Sequence, residues 1–396
     1  MDNPGVKSNL LLALALFAAA LRGAQAKEDP WPDMMHPRAP QTPLEIVFKP
    51  WHCPTCIAEG LLPPLEKPRT IEMMRQPIEQ LAKQLDLEPG YTVIETPHFR
   101  ILSDLGKGSV KWKDGTYNRA DVERLKEIFP KLVIGRDGSS LDRHERAHLY
   151  HIRVERIYSH MAELLDCKEP WLGMHAPYEL YLFADFNEHH AFNDRYIGRA
   201  NDKAGVQDHK KDAPNFMLFT TAESQVAAVN GKGDRVFSNH VIHNVAHNLA
   251  DGFGNYYRET WAWLEEGIAH YYERRENPRF NTFCWAEGKK PADFLKPDWE
   301  SSIYNLVRRG KDTPFPQWCE KLLPGELSGV EQGLCWSMVQ YMVETEPIRF
   351  TKMWQKLNDY KEKPDASTCI EHAFGVPPSV LHTRWREWAL EAYAKR

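Results

Sequence analysis

The chain has 396 residues, 42% hydrophobic and 27% charged, with formal net charge −5 and a mean hydropathy of −0.57. This is globular composition and excludes a disordered, collagen-like or multi-span membrane chain. The mild acidity leaves no basic field to gather phosphates, so nucleic acid is not an expected partner.

Leu10–Leu21 reads LLLALALFAAAL, an apolar run preceded by Lys7 and followed by Ala24-Gln25-Ala26. A short apolar core before an A-x-A site is the pattern of a cleavable secretory signal, and it is too short for a span that needs about 20 residues. Residues 1–26 are therefore read as a signal peptide, with export to the periplasm or exterior. Its removal takes away Asp2, Lys7 and Arg22, a net +1, and leaves the chain at −6.

Residues 27–90 hold twelve of the 28 prolines. Proline fixes φ and removes donors, so this stretch is expected to be an extended, irregular N-terminal extension. Within it Cys53-Pro54-Thr55-Cys56 is the one close cysteine pair among seven cysteines. In an oxidising compartment a local disulfide is the preferred reading, against a redox pair or a shared metal site.

A domain over 91–396 follows, with a sheet and metal-helix part at 91–275 and a helical part at 276–396. Tyr91–Leu102 (YTVIETPHFRIL) alternates as a half-buried strand, Ser140–Cys167 reads as an amphipathic helix, and Tyr178–Ala184 and Asn215–Thr220 read as strands. Helices are predicted over Arg235–Ala250, Thr260–Arg274, Glu331–Glu344, Ile348–Leu357 and Pro378–Ala394. Strands first and helices afterwards make the fold α+β. The tryptophans Trp261, Trp263, Trp336, Trp354, Trp385 and Trp388 are expected in the core. His189 and His190 read as loop residues near a cleft, and Lys210-Lys211 as a solvated loop.

Two histidine pairs have metal-ligand spacing. His144-Glu145-Arg146-Ala147-His148 is a literal H-E-x-x-H, but Arg146 puts a cation in the motif and Asp142, Arg143 and Arg153 look solvated. It reads as the polar face of a surface helix. His243-Asn244-Val245-Ala246-His247 sits instead among Val241, Ile242 and Leu249, and residues four apart lie about 40° apart on a helix, so both imidazoles reach one ion. Eighteen residues separate His247 from Glu266 in Trp263-Leu264-Glu265-Glu266-Gly267-Ile268-Ala269. A second helix crossing the first brings Glu266 in as a third ligand and leaves a fourth position open.

These motifs resemble those of the gluzincin-type, peptidase-MA-like secreted metallopeptidases, which carry H-E-x-x-H followed by W-L-x-E-G-x-A. The likeness extends loosely over residues 91–392. It implies a zincin-like fold, with a small mixed sheet, a zinc-type helix pair and a helical C-terminal part. It also implies zinc at His243, His247 and Glu266, and a peptide or protein substrate. The general-base glutamate of that family falls on Asn244 here, and a frequent tyrosine falls on Gln332. An amide cannot take and return a proton near neutral pH. The expectation is a degenerate peptidase or a peptide- or surface-binding module. Two alternatives stand beside it: an active hydrolase using His240 or Glu265 as base, and a metal-free scaffold. His270, one turn beyond Glu266, is expected to orient a ligand, and Tyr304, Tyr341, Tyr256 and Tyr257 are candidate stand-ins for the missing tyrosine.

Overall fold

The run from Tyr91 folds as a hairpin because Pro97 interrupts it. In the computed structural model β1 (Thr92–Glu95) and β2 (Phe99–Ser103) pair antiparallel. The turn is closed by Thr96 N–H donating to Phe99 O at 2.9 Å and Phe99 N–H donating to Thr96 Oγ1 at 2.9 Å. The structure describes residues 52–62, 83, 90–111, 119–135, 138–168, 171–199, 203–210, 216–230, 233–253, 260–283, 294, 296–359 and 361–394. The signal-peptide region lies outside them, and no described helix is long and apolar enough to cross a membrane.

Ahead of the hairpin, the short helix α1 (Pro54–Ala58) begins at Cys53 with proline in its first turn. His52 bridges to Glu95, and Val47–Arg396 forms one compact unit, so part of the proline-rich stretch is tied to the main body. After β3 (Gly108–Lys111), α2 (Arg119–Ile128) and β4 (Gly138–Leu141) comes the long helix α3 (Arg143–Leu164). Then follow β5 (Tyr178–Phe183), α4 (Phe186–Phe192) with a π turn at Asn193–Ile197, β6 (Gly205–Lys210) and β7 (Phe216–Ala222). The sheet runs β1-β2-β5-β7-β6, with the three inner strands parallel and both outer strands antiparallel. With the helices this is a mixed α+β fold.

Strands β1, β2, β5 and β7 are buried on both faces, where alternation over Tyr91–Leu102 predicted half-burial. Leu102, Tyr181, Phe183 and Leu218 pack with Phe192 on one side. On the other, Phe99 and Tyr178 meet Tyr158 of α3, and Phe219 meets His240. Covering both faces removes the solvent-facing half of the pattern. His189 is accordingly buried, not at a rim: its Nε2 lies 2.9 Å from Thr220 Oγ1. Asp208, His209 and Lys210 belong to β6 rather than a loop, where Lys210 Nζ pairs with Asp208 at 3.1 Å. An outermost strand carries polar residues that read as loop.

The helical part comprises α5 (Glu223–Asn230), α6 (Asp234–Phe253), α7 (Ala262–Glu276), α8 (Trp299–Arg308), α9 (Gly329–Thr345), α10 (Pro347–Leu357), α11 (Ala366–Phe374) and α12 (Pro378–Ala392). Of the six tryptophans expected inside, Trp261, Trp263, Trp336, Trp354 and Trp385 are buried and Trp388 is half-buried. Helix α3 is not a surface helix. Arg146 is paired with Glu223 at 2.7 Å and Asp234 at 2.6 Å, while Arg153 and Arg156 reach Asp121 and Glu276. Charge in the sequence signalled solvent, but these charges are buried with partners.

Helix α7 packs against α6 and α9, and Gly267 sets the second contact. A Cβ there would stand 2.5 Å from Val339 Cγ2 and 2.7 Å from Cys335 O. Because the carbonyl is backbone, Gly267→Ala should push α9 away and cost about 1–3 kcal/mol, read as a lower urea midpoint with unchanged slope; an unchanged midpoint would show that the contact gives freely.

Burial pulls the His189 imidazole down to about 4. Its folded pKa lies below its unfolded value of about 6.5, so the unfolded chain binds the extra proton. The stability contributed by neutral His189 is thus full above about pH 6.5 and declines as pH falls toward 4, by at most about 1.4 kcal/mol per pH unit. Chemical unfolding of His189→Asn beside the wild type at pH 7 and pH 5 should show the gap between them narrowing at the lower pH. Parallel loss would remove His189 from the acid limb.

Candidate metal centre

Helix α6 is buried along most of its length, and α7 packs against it. On α6, His243 and His247 stand one turn apart with their Nε2 atoms 3.2 Å from each other. Glu266 on α7 brings Oε2 to 3.5 Å from His247 Nε2 and 3.9 Å from His243 Nε2. All three side chains are buried, and their ligand atoms form one of the groups able to hold a metal ion. A tetrahedral ion with bonds of about 2.0–2.2 Å sets neighbouring ligand atoms about 3.3–3.5 Å apart. The observed set is within a few tenths of an ångström of that.

The electrostatics agree with the geometry. Burial would raise the Glu266 carboxyl, but the adjacent imidazoles of His247 and His243 outweigh it and hold it below its usual range. His243 is itself shifted down, first by burial, with Glu273 opposing. A neutral imidazole and an ionised carboxylate are the forms that bind a cation.

Glu273 is the residue that the sequence reading missed. Its Oε2 lies 3.3 Å from His243 Nδ1 and 3.0 Å from His270 Nδ1, and its other oxygen accepts from Thr282 N–H. It thereby fixes the His243 ring with Nε2 toward Glu266 and His247. Burial would raise this carboxyl, but hydrogen bonds from His243 and His270 bring it down to about 2. The signal was present in the sequence: Glu266, His270 and Glu273 follow i, i+4, i+7 on one helix face. His270 stacks edge-on against His243 with ring centroids 4.9 Å apart, and reaches the site through Glu273. A second geometric set, His243, His270 and Glu273, overlaps the first; there Glu273 already receives both Nδ1 atoms and a backbone N–H.

Asn244 donates Nδ2–H to His240 O at 2.8 Å, so its amide is turned back along its own helix. His240 is buried beside β6 and is pulled by burial to about 3. Neither of its ring nitrogens has a hydrogen-bond partner among the described residues, and it belongs to none of the geometric ligand sets. The part-buried Asp251, one turn beyond His247, is pushed up to about 6 by desolvation and shares a hydrogen bond with Glu265. Gln332 is buried in the first turn of α9. Tyr256 and Tyr257 lie outside the described residues, and Tyr341 packs on Trp388 with ring centroids 5.6 Å apart.

No family model matches the chain, and none of the curated proteins compared with it matches.

Removing the group that orients His243 should weaken metal binding about 10–100-fold. Glu273→Gln tests this by competitive zinc titration against a chelator dye, with far-UV circular dichroism checking the fold. A folded variant with wild-type affinity would confine Glu273 to packing.

Proposed function

We propose that this chain is an exported zinc-binding homologue of gluzincin-type metallopeptidases, with His243, His247 and Glu266 as ligands, that binds extended peptides and hydrolyses them weakly or not at all. The carrying observation is the convergence of His243 Nε2, His247 Nε2 and Glu266 Oε2, with separations of 3.2, 3.5 and 3.9 Å. Three ligands leave a coordination position for an incoming oxygen, and the ion, when bound, polarises that oxygen.

Asn244 explains the loss of turnover. Its amide donates to a main-chain carbonyl and has no basic lone pair to accept a proton from water or deliver one to a leaving amine. Peptide capture has separate support. β6 is one of the two outer strands of the described sheet, and Gln207 on it donates to Asn244 O at 3.0 Å, so a sheet edge of the kind that takes an added extended chain borders the metal helix. The signal sequence supports export.

The competing reading, an active hydrolase, draws on Glu265 and its shared hydrogen bond with the raised carboxyl of Asp251. His240 is a poor substitute, since its ring is packed against Phe219.

Metal analysis of purified protein and His243→Ala, followed by turnover assays on a mixed peptide library, tests the reading. Expected are one fewer bound zinc in the variant, negligible wild-type turnover, and a gain in Asn244→Glu of up to about 10²–10⁴-fold. Zinc content unchanged in His243→Ala would sink the ligand set. Robust wild-type turnover lost in Glu265→Gln would establish the hydrolase instead.

A further inference from the structure

The literal H-E-x-x-H pair and the C-x-x-C pair, distant in sequence, meet in space. His144 Nε2 lies 3.3 Å from Cys53 Sγ and 3.3 Å from Cys56 Sγ. His148 Nε2 lies 3.2 Å from Cys56 Sγ and 3.1 Å from His144 Nε2. Cys53, Cys56 and His148 are fully buried and His144 is 8% exposed. The cysteines are free thiols, so the local disulfide favoured by the sequence is not formed: both sulfurs face α3 instead.

Hydrogen bonding does not account for this packing. A single imidazole nitrogen has one lone pair or one N–H, yet His144 Nε2 has three heteroatoms within 3.3 Å. A cation at the centre does account for it. Bonds of about 2.3 Å to sulfur and about 2.0–2.1 Å to nitrogen give tetrahedral edges of about 3.6 Å between S and N and about 3.3 Å between N and N. The outward nitrogens are also anchored, with His148 Nδ1 at 3.0 Å from His151 Nδ1 and His144 Nδ1 at 3.5 Å from Glu59 Oε2. Such outer contacts fix the ring orientation of ligating histidines. Phe129 closes one side, its ring 5.1 Å from His144 and 5.3 Å from His148.

We propose that Cys53, Cys56, His144 and His148 form a second, structural site for a zinc-class divalent cation, independent of the α6–α7 site. Binding replaces the two thiol protons, which leave to solvent, and two thiolates neutralise the dication in a buried place. Four protein ligands fill the coordination sphere, so this site is closed to substrate. Glu145, which the H-E-x-x-H pattern would make a base, is used elsewhere. It caps its own helix, accepting from Asp142 N–H at 2.8 Å while its N–H donates to Asp142 Oδ1 at 2.8 Å. The site's role is to staple. A five-residue helix such as α1 does not hold itself together, and the ion cross-links it to the start of α3 across 91 residues of chain.

Cobalt(II) separates this site from the other, because only this one contains sulfur. Metal-stripped, reduced full chain titrated with cobalt(II) should develop thiolate-to-cobalt charge-transfer absorption that saturates by two equivalents in the wild type, where the α6–α7 site takes up the other, and by one in His243→Ala. The band should be undiminished in His243→Ala and absent in Cys53→Ser/Cys56→Ser. Absence of the band in the wild type, or its persistence in the double serine variant, overturns the site. Should that variant fail to fold, alkylation of the wild type decides: Cys53 and Cys56 should be labelled by iodoacetamide after chelation and not before. Equal labelling before and after, or a Cys53–Cys56 disulfide in the purified protein, rejects the proposal.

Discussion

Helix α3 carries charge into the interior, and the arrangement of its neighbours follows from the need to pair it. An unpaired buried guanidinium or carboxylate is severely unfavourable, and removing one partner of a buried pair typically costs about 3–5 kcal/mol. Arg146 takes Asp234 and Glu223. Arg156 takes Asp121 at 3.0 Å and Glu276, and Arg153 adds Ser238 at 2.8 Å. Glu155 holds the β1–β2 turn through His98 Nδ1 at 2.7 Å, and His160 reaches Tyr272 at 2.8 Å. One helix thus fixes α2, the sheet, the start of α6 and the C-terminal part of α7.

That bracing positions the candidate metal centre. Asp234 and Ser238 open the helix that bears His243 and His247, and Glu276 closes the helix that bears Glu266. The packing of α7 on α6 is bounded on its other side by α9, which approaches α7 closely at Gly267. Three candidate ligand atoms within 4 Å therefore rest on buried helices rather than on loops, which is what a site with few ligands needs to hold its geometry. The N-terminal end of the same α3 carries His144 and His148, so both candidate metal sites hang on one charged, buried helix.

The fold and the site were legible in the sequence to different depths. Helix ends came through well, since α6, α7 and α9 carry long apolar faces. Residues 91–103 were less legible: a single alternating run became a hairpin because proline at 97 forced a turn. β6 was missed, as its polar residues suit an outermost strand and a loop equally. His243 and His247 could be read because i and i+4 share a helix face regardless of the rest of the fold. Glu273 was visible by the same rule and was passed over. The surface reading of α3 failed for a physical reason: sequence shows charges, and does not show whether counter-charges from residues 121, 223, 234 and 276 will meet them inside.

The sequence by itself determined the features that are local: the α+β mixture of elements, the histidine pair with its downstream glutamate, and the asparagine beside the first of those histidines. Tertiary structure alone decided which of the two histidine pairs has which partners. Glu266 reaches His243 and His247 because two helices pack together, and Cys53 and Cys56 reach His144 and His148 across 88 to 92 residues. A helix repeats every 3.6 residues and so writes its own faces into the sequence. Contacts between distant segments have no such period, and exist only once the chain has buried its charges in pairs.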